Sequence, residues 1–304
     1  MIGIPYMGSK RKLSKKILDY IVAHNPNATH FYDLFGGGGA ISFEVLKRKQ
    51  FKTVFYNDFN TGVVEFLKEI IKNGVTYKYY NWIDKFTFDK HKSDNDWFGG
   101  FVKTCWSFGN DQKSYLYGKN IEEPKRRMHE IVVNCCNESL NWFNNTYSTE
   151  ISNLIFNLKT IEERRLYLKN YCIKIQNIQQ LKQLEHLERL QHLKNLKNIQ
   201  ERQKLVISNL SYELVKVETP IDKTIIYCDP PYKGKKKYEK NIEHDLFLDW
   251  VKNSNYKVYV SSYELDLPLV KEFTHRSTLA STANNKVVER LFCNQIEIIK
   301  TQLF

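Results

Sequence analysis

The sequence predicts an α/β fold, a Rossmann-like sheet carrying an inserted, mainly helical region. Three observations predict it. The apolar run from His30 to Phe35 stops at four glycines, Gly36 to Gly39, and a helical stretch follows. Thr53 to Asn57 then reads as a second strand, so strand, glycine turn, helix and strand succeed one another. After a long interval the pattern resumes, with Leu205–Ser208, Thr224–Cys228 and Lys257–Ser262 all strand-like.

Each element has a local signal. Leu13, Ile17 and Ile21, flanked by Leu18 and Val22, recur at the spacing of an amphipathic helix that must end before Pro26. Further helices are expected over 40–49 and 61–72, the second stopped by Asn73-Gly74. From 76 to 150, aromatic residues crowd among polar ones without α/β alternation, which predicts an insertion, helical with a loop or hairpin near 105–120. Residues 243–253 read as a helix, and Val287 to Gln302 as a closing antiparallel hairpin. The expected organisation is one split sheet domain, 1–75 with 205–304, interrupted by 76–204.

Within the insertion, residues 175–199 place an apolar residue at every third position, from Ile175 and Ile178 through Leu181 and Leu184 to Ile199. On an α-helix a step of three turns through about 300°, so such a stripe drifts around the cylinder. A leucine zipper needs an average of 3.5. A 3₁₀ helix matches the period but is uncommon beyond 3–4 residues. A compact coil and a helix with a spiralling seam both stay open, with helix favoured. His186 and His192 in this run read as solvated variants of the repeat rather than as ligands.

Lys and Arg number 46 against 34 Asp and Glu, a formal charge of +12, which points to a polyanionic partner, nucleic acid before an anionic membrane. Hydrophobic residues make up 42% of the chain, enough for a packed core, and charges interrupt every apolar stretch before membrane-spanning length. The opening residues, MIGIPYMGSKRKL, lack the apolar core and cleavage site of a secretory signal. The six cysteines form no C-x-x-C pair, and vicinal Cys135 and Cys136 read as two buried thiols. A reducing, cytoplasmic compartment, no metal and a monomeric state are expected.

Two motifs carry chemistry. Asp229-Pro230-Pro231-Tyr232 directly follows a strand-like run, where it is either a proline turn or a site. Two consecutive prolines fix φ and lack N–H donors, so they hold the Asp229 carboxylate and the Pro230 carbonyl as a rigid array of acceptors. An exocyclic amino group, with two N–H donors, is its complement, and Tyr232 offers a face on which a base can stack. The second motif, Asp33-Leu34-Phe35 and the glycines, joins a strand to a helix and lets a ligand approach bare backbone. It lacks the Lys-Ser/Thr of a phosphate loop. Asp58, at the end of the second strand, sits where an acidic side chain accepts ribose hydroxyls, although a lone Asp there is more often a turn residue.

Pro5-Tyr6-Met7-Gly8-Ser9-Lys10, then DLFGGGG, then NDFN, then DPPY resemble, in that order, the Dam-like (D12 class) DNA adenine-N6 methyltransferases of the α group. Tyr259–Tyr263 and Lys286–Asn294 look like that family's C-terminal strand motifs, whereas Trp106–Asn110 and Tyr115–Gly118 match its DNA-reading hairpin only loosely. The resemblance implies a Rossmann-like methyltransferase sheet with 76–204 as an inserted target-recognition region. It implies S-adenosylmethionine held by Tyr6, Lys10, Asp33, Phe35, Gly36, Gly38, Asp58 and Asp229. It further implies transfer of its methyl group to N6 of a flipped-out adenine in double-stranded DNA, with Asp229, Pro230, Pro231 and Tyr232 catalytic and no metal. The setting it suggests is a restriction–modification system or a phage.

Basic clusters at Lys10–Lys16, at Lys125, Arg126 and Arg127, and at Lys233, Lys235, Lys236, Lys237 and Lys240 are expected to meet phosphate. Asn110, Gln112, Lys113 and Lys119 are candidates for contacting bases. Methylation of RNA adenine or of cytosine N4, and a non-catalytic binding protein with the leucine repeat as docking surface, are the alternatives.

Overall fold

The computed structural model describes residues 3–194, 196, 204–231, 242–276 and 286–295. Its centre is a seven-stranded sheet of β1 (His30–Asp33), β2 (Thr53–Asn57), β3 (Lys204–Ser208), β4 (Thr224–Cys228), β5 (Lys257–Ser262), β6 (Leu269–Arg276) and β7 (Lys286–Cys293). The strand order is β3-β2-β1-β4-β5-β7-β6. The first five are mutually parallel, and β7 runs antiparallel to both β5 and β6. Strand order reverses between β1 and β4, which opens a crevice at the carboxyl ends of those strands.

Around the sheet lie α1 (Ser14–Ala23), α2 (Ala40–Val45), α3 (Thr61–Asn73) and, near the C-terminus, α10 (His244–Lys252). Between β2 and β3, beyond α3, come α4 (Lys85–His91), α5 (Trp97–Cys105), α6 (Lys119–Asn134), α7 (Asn137–Tyr147), α8 (Ile161–Ile173) and α9 (Glu185–Leu193). Side-chain caps start α3, α4, α5 and α8: Asn60 accepts from the Val63 N–H, Asp84 from Thr87, Asp96 from Gly99, and Thr160 with Glu163 forms a reciprocal capping box. A hairpin-like turn joins α5 to α6. There Ser107 bridges antiparallel to Tyr115, and the Phe108 N–H donates to Ser114 O at 2.8 Å.

Alternation along the strands gives the sheet two apolar faces. Phe31, Ile225 and Tyr227 enter a large core that continues into the helices of the 76–196 region. Tyr32, Ile226 and Cys228 point the other way, toward Phe247 and Val251 of α10. The leucine repeat is neither one helix nor a docking stripe. It forms a 3₁₀ turn, Gln176–Leu181, then α9, and Ile178, Leu181, Leu184, Leu187, Leu190, Leu193 and Leu196 are all buried in the large core. The drift stays tolerable because the α-helical part is short and the 3₁₀ part has the period of the repeat.

Three other expectations change. His186 is fully buried, not solvated: its Nδ1 lies 2.8 Å from the Tyr117 hydroxyl and its Nε2 2.9 Å from His129 Nδ1, with Trp106 stacked on the ring. Burial holds His129 down at about 4, so this polar core is uncharged at neutral pH. Cys135 and Cys136 are half-buried at the junction of α6 and α7 rather than enclosed. The antiparallel partner of β7 is β6, upstream; residues 296–302 lie outside the described residues.

Candidate active site

The carboxyl ends of β1, β2 and β4 bring Asp33, Asp58 and Asp229 to the crevice. Asp33 is buried: its Oδ2 accepts from the Ser42 hydroxyl at 2.7 Å and the Ser42 N–H at 3.2 Å. Its Oδ1 is buried without a hydrogen-bond partner among the described residues. Burial pushes the carboxyl up to about 7, opposed by the Ser42 hydrogen bond and reinforced by the charge of Asp229. An unpartnered acceptor at the head of a glycine turn is expensive unless a donor arrives there.

The turn itself is clamped from β2. Gly37 N–H donates to Asp58 Oδ2 at 2.7 Å, and the Tyr56 hydroxyl donates to Gly37 O at 2.7 Å. The other Asp58 oxygen accepts from Asn60 N–H at 2.8 Å. Gly37 adopts φ +49°, and a Cβ at Gly36 would lie 2.2 Å from the Tyr56 ring, so bare backbone is required. The N-terminal segment lies across the same turn. Ile4 N–H donates to Gly38 O at 2.8 Å, and the Tyr6 ring packs on Gly37.

After β4, Asp229 is half-buried and Pro230 buried. Lys10, from the turn preceding α1, donates to Asp229 Oδ1 at 2.6 Å and Oδ2 at 2.7 Å. Glu289 of β7, also buried, lies 3.6 Å from the same ammonium. Tyr6, Lys10, Asp33, Phe35, Gly36, Gly38 and Asp229 line one cleft of about 40 Å³, with Asp58 behind its glycine wall. Sequence reasoning missed Glu289, Ser42 and Tyr56, as well as Tyr227 of β4, which also lines the cleft. Tyr56 could have been found as an aromatic on the buried strand opposite four glycines. Glu289, a charge within the strand Lys286–Cys293, was visible as an anomaly without a partner to name.

The candidates for meeting DNA divide. Lys113 and Lys119 are exposed, and Asn110 and Gln112 sit half-buried on the α5–α6 turn at φ +59° and +63°. Arg126 and Arg127 are ion-paired to Glu123 at 2.7 and 2.8 Å. Lys125, expected beside them on a basic surface, is instead buried with its ammonium donating to Leu181 O and Gln183 O. Tyr232, Lys233, Lys235, Lys236, Lys237 and Lys240 lie outside the described residues. Among the described residues no group of three or more His, Cys, Asp or Glu is placed to hold a metal ion, and no helix is long and apolar enough to cross a membrane.

A sequence profile for D12 class N6 adenine-specific DNA methyltransferases matches residues 6–189, more than half of the 304-residue chain. The match includes Tyr6, Lys10, Asp33 and Asp58, and ends before Asp229. No individual curated protein matches the chain. The seven-stranded, mostly parallel sheet is consistent with a methyltransferase fold, and by the profile match the chain belongs to the D12 class N6 adenine-specific DNA methyltransferase family.

Proposed function

We propose that the protein transfers a methyl group from S-adenosylmethionine to N6 of an adenine flipped out of double-stranded DNA. The observation that carries the proposal is the convergence of Asp33, the glycine turn and Asp229 on one cleft beside Lys10. The unpartnered Asp33 oxygen fits a cationic amino group, and the bare backbone at Gly36–Gly38 fits close approach of a ligand. Asp58 fixes the turn through Gly37, and it lies at the end of the second strand, where an acidic side chain meets ribose hydroxyls in open α/β sheets. S-adenosylmethionine, when bound, supplies an electrophilic methyl group on a cationic sulfur.

On the acceptor side, Asp229 and the Pro230 carbonyl accept both hydrogens of the adenine amino group. Those hydrogen bonds would localise the nitrogen lone pair, otherwise delocalised into the ring, for attack on an electrophilic methyl carbon. The sulfur–methyl bond would break with its electron pair returning to sulfur, and Asp229 would take the amino proton. Lys10 grips both Asp229 oxygens and fixes the rotamer of that acceptor. Residues 1–75 and 205–304 form the catalytic part in this reading. Residues 76–204 form the target-recognition region, with Lys113, Lys119, Asn110 and Gln112 toward DNA; Lys233, Lys235, Lys236 and Lys237, which follow the catalytic motif in sequence, meet phosphate. Calorimetry with S-adenosylmethionine tests the reading: saturable binding, lost in Asp33→Asn, is expected. Absence of binding by the wild-type protein would return the chain to the class of non-catalytic DNA-binding proteins.

A further inference from the structure

A second cleft, of about 200 Å³, opens on the other side of the N-terminal segment. Pro5 and Arg11, which bracket Tyr6–Lys10, form one wall. Asn110 from the α5–α6 turn forms another, and Glu185, Glu188, Arg189 and His192 of α9 form the third. We infer that this cleft is a base-reading subsite that selects a base pair flanking the methylated adenine. The inference rests on the methyltransferase reading above and extends it to Arg11 and to the leucine-repeat helix.

The lining chemistry favours a base edge over a phosphate. Arg11 Nε and Asn110 Oδ1 are both buried without a hydrogen-bond partner among the described residues, one a donor and the other an acceptor. Glu185 Oε2 likewise accepts no hydrogen bond, with the Lys125 ammonium 3.6 Å away. Glu185 and Glu188 are ion-paired, to Lys125 at 3.6 Å and to Arg165 at 2.6 Å, so the distinction rests on Asn110 Oδ1: a phosphate offers acceptors alone and cannot satisfy it. A base pair in the major groove presents acceptors and amino donors side by side, which is the complement of an Arg beside an acceptor. A mismatched pair would leave these buried groups unsatisfied, and that penalty is what produces discrimination.

The reading group is also held in place. Gly109, Asn110 and Gln112 all have positive φ, a region disfavoured for residues with side chains, so the surroundings must impose it. Asn60, two residues beyond Asp58, donates through Nδ2 to Gln112 Oε1 at 3.1 Å. From α9, Arg189 Nη1 donates to Cys105 O at 2.8 Å and Ser107 O at 2.9 Å, fixing the start of the turn. The turn is thus tied on one side to the candidate cofactor site and on the other to the repeat.

The test is methylation of a duplex library randomised around the adenine, by wild type, Asn110→Gly and Arg11→Gln. Glycine keeps the positive φ, so Asn110→Gly removes the side chain without straining the turn, and it stands even where Arg11→Gln disturbs the N-terminal segment. S-adenosylmethionine affinity serves as the control for folding. The expected result is a roughly 10- to 100-fold loss of discrimination in both variants, at one shared flanking position. Unchanged preference at every position, or a uniform loss on all sequences with a shallower salt dependence, overturns the subsite and marks a structural or phosphate contact. A wild type that methylates no duplex overturns the underlying methyltransferase reading, and the subsite with it.

Discussion

Asp33→Asn separates the stability of the site from its use. Burial pushes the Asp33 carboxyl from 3.8 up to about 7, against the Ser42 hydrogen bond and with the charge of Asp229 adding. A displacement of roughly three pH units corresponds to about 4 kcal/mol. The folded acid binds its proton more tightly than the unfolded one, so this stabilisation is complete in acid. It is lost as pH rises from about 4 to about 7, and stays lost above that. Asparagine keeps the shape and the contact with Ser42 and has nothing to ionise. The variant should therefore gain on wild type by about 2–3 kcal/mol between pH 5 and pH 8, part of the roughly 4 kcal/mol being already lost by pH 5. Urea denaturation of both proteins at both pH values measures this, since other titrating groups cancel in the difference. A stability difference that does not change between pH 5 and pH 8 would refute the argument. The same carboxylate must be ionised to meet a cation, so wild-type affinity for S-adenosylmethionine should rise between pH 6 and about 7.5, and Asp33→Asn should lose it.

Three further outcomes are expected. Gly36→Ala drives a Cβ to 2.2 Å from the Tyr56 ring and endangers the Tyr56–Gly37 hydrogen bond. It should cost about 1–3 kcal/mol in thermal denaturation and most of the cofactor affinity in calorimetry. Leu190→Ala, in the buried repeat, should destabilise by about 2–5 kcal/mol, and in-register deletion of 178–198 should give insoluble protein; soluble, active protein would make the repeat dispensable. Affinity for duplex DNA should fall steeply with salt, by roughly 0.9 in log K per decade for each phosphate contact. Lys119→Ala should reduce that slope by about one contact, whereas Lys125→Met should leave it unchanged, because Lys125 is buried and Lys119 is exposed.

The sheet was legible where its residues obey a single period. β2 and β5 fall on the expected bounds, because continuous apolar runs between polar breaks leave parallel strands little freedom. β6 was missed: Leu269–Arg276 is an edge strand, largely polar, and its pairing with β7 is long-range. The acidic residues of the site were legible because they end strands, a position that physics reserves for ligands in open α/β sheets. Their partners were not. Lys10 reaches Asp229 across 219 positions, and Glu289 joins the pair from the penultimate position in the sheet, a proximity only topology creates. Lys125 and His186 were misread for the same reason. Each sits on the buried, largely apolar face of its helix, Lys125 with Met128 and Ile131 and His186 with Leu187 and Leu190, and the partners that satisfy it, Gln183 O and Tyr117, come from elsewhere in the chain.

The most direct test is nucleoside mass spectrometry of duplex DNA incubated with the protein and methyl-labelled S-adenosylmethionine, for wild type and Asp229→Ala. The expected result is label in N6-methyladenine with wild type and none with Asp229→Ala, the variant remaining folded by circular dichroism. Label in N4-methylcytosine, equal label from a folded Asp229→Ala, or no label from wild type would contradict the assignment of Asp229 and Pro230 as the acceptor of an adenine amino group.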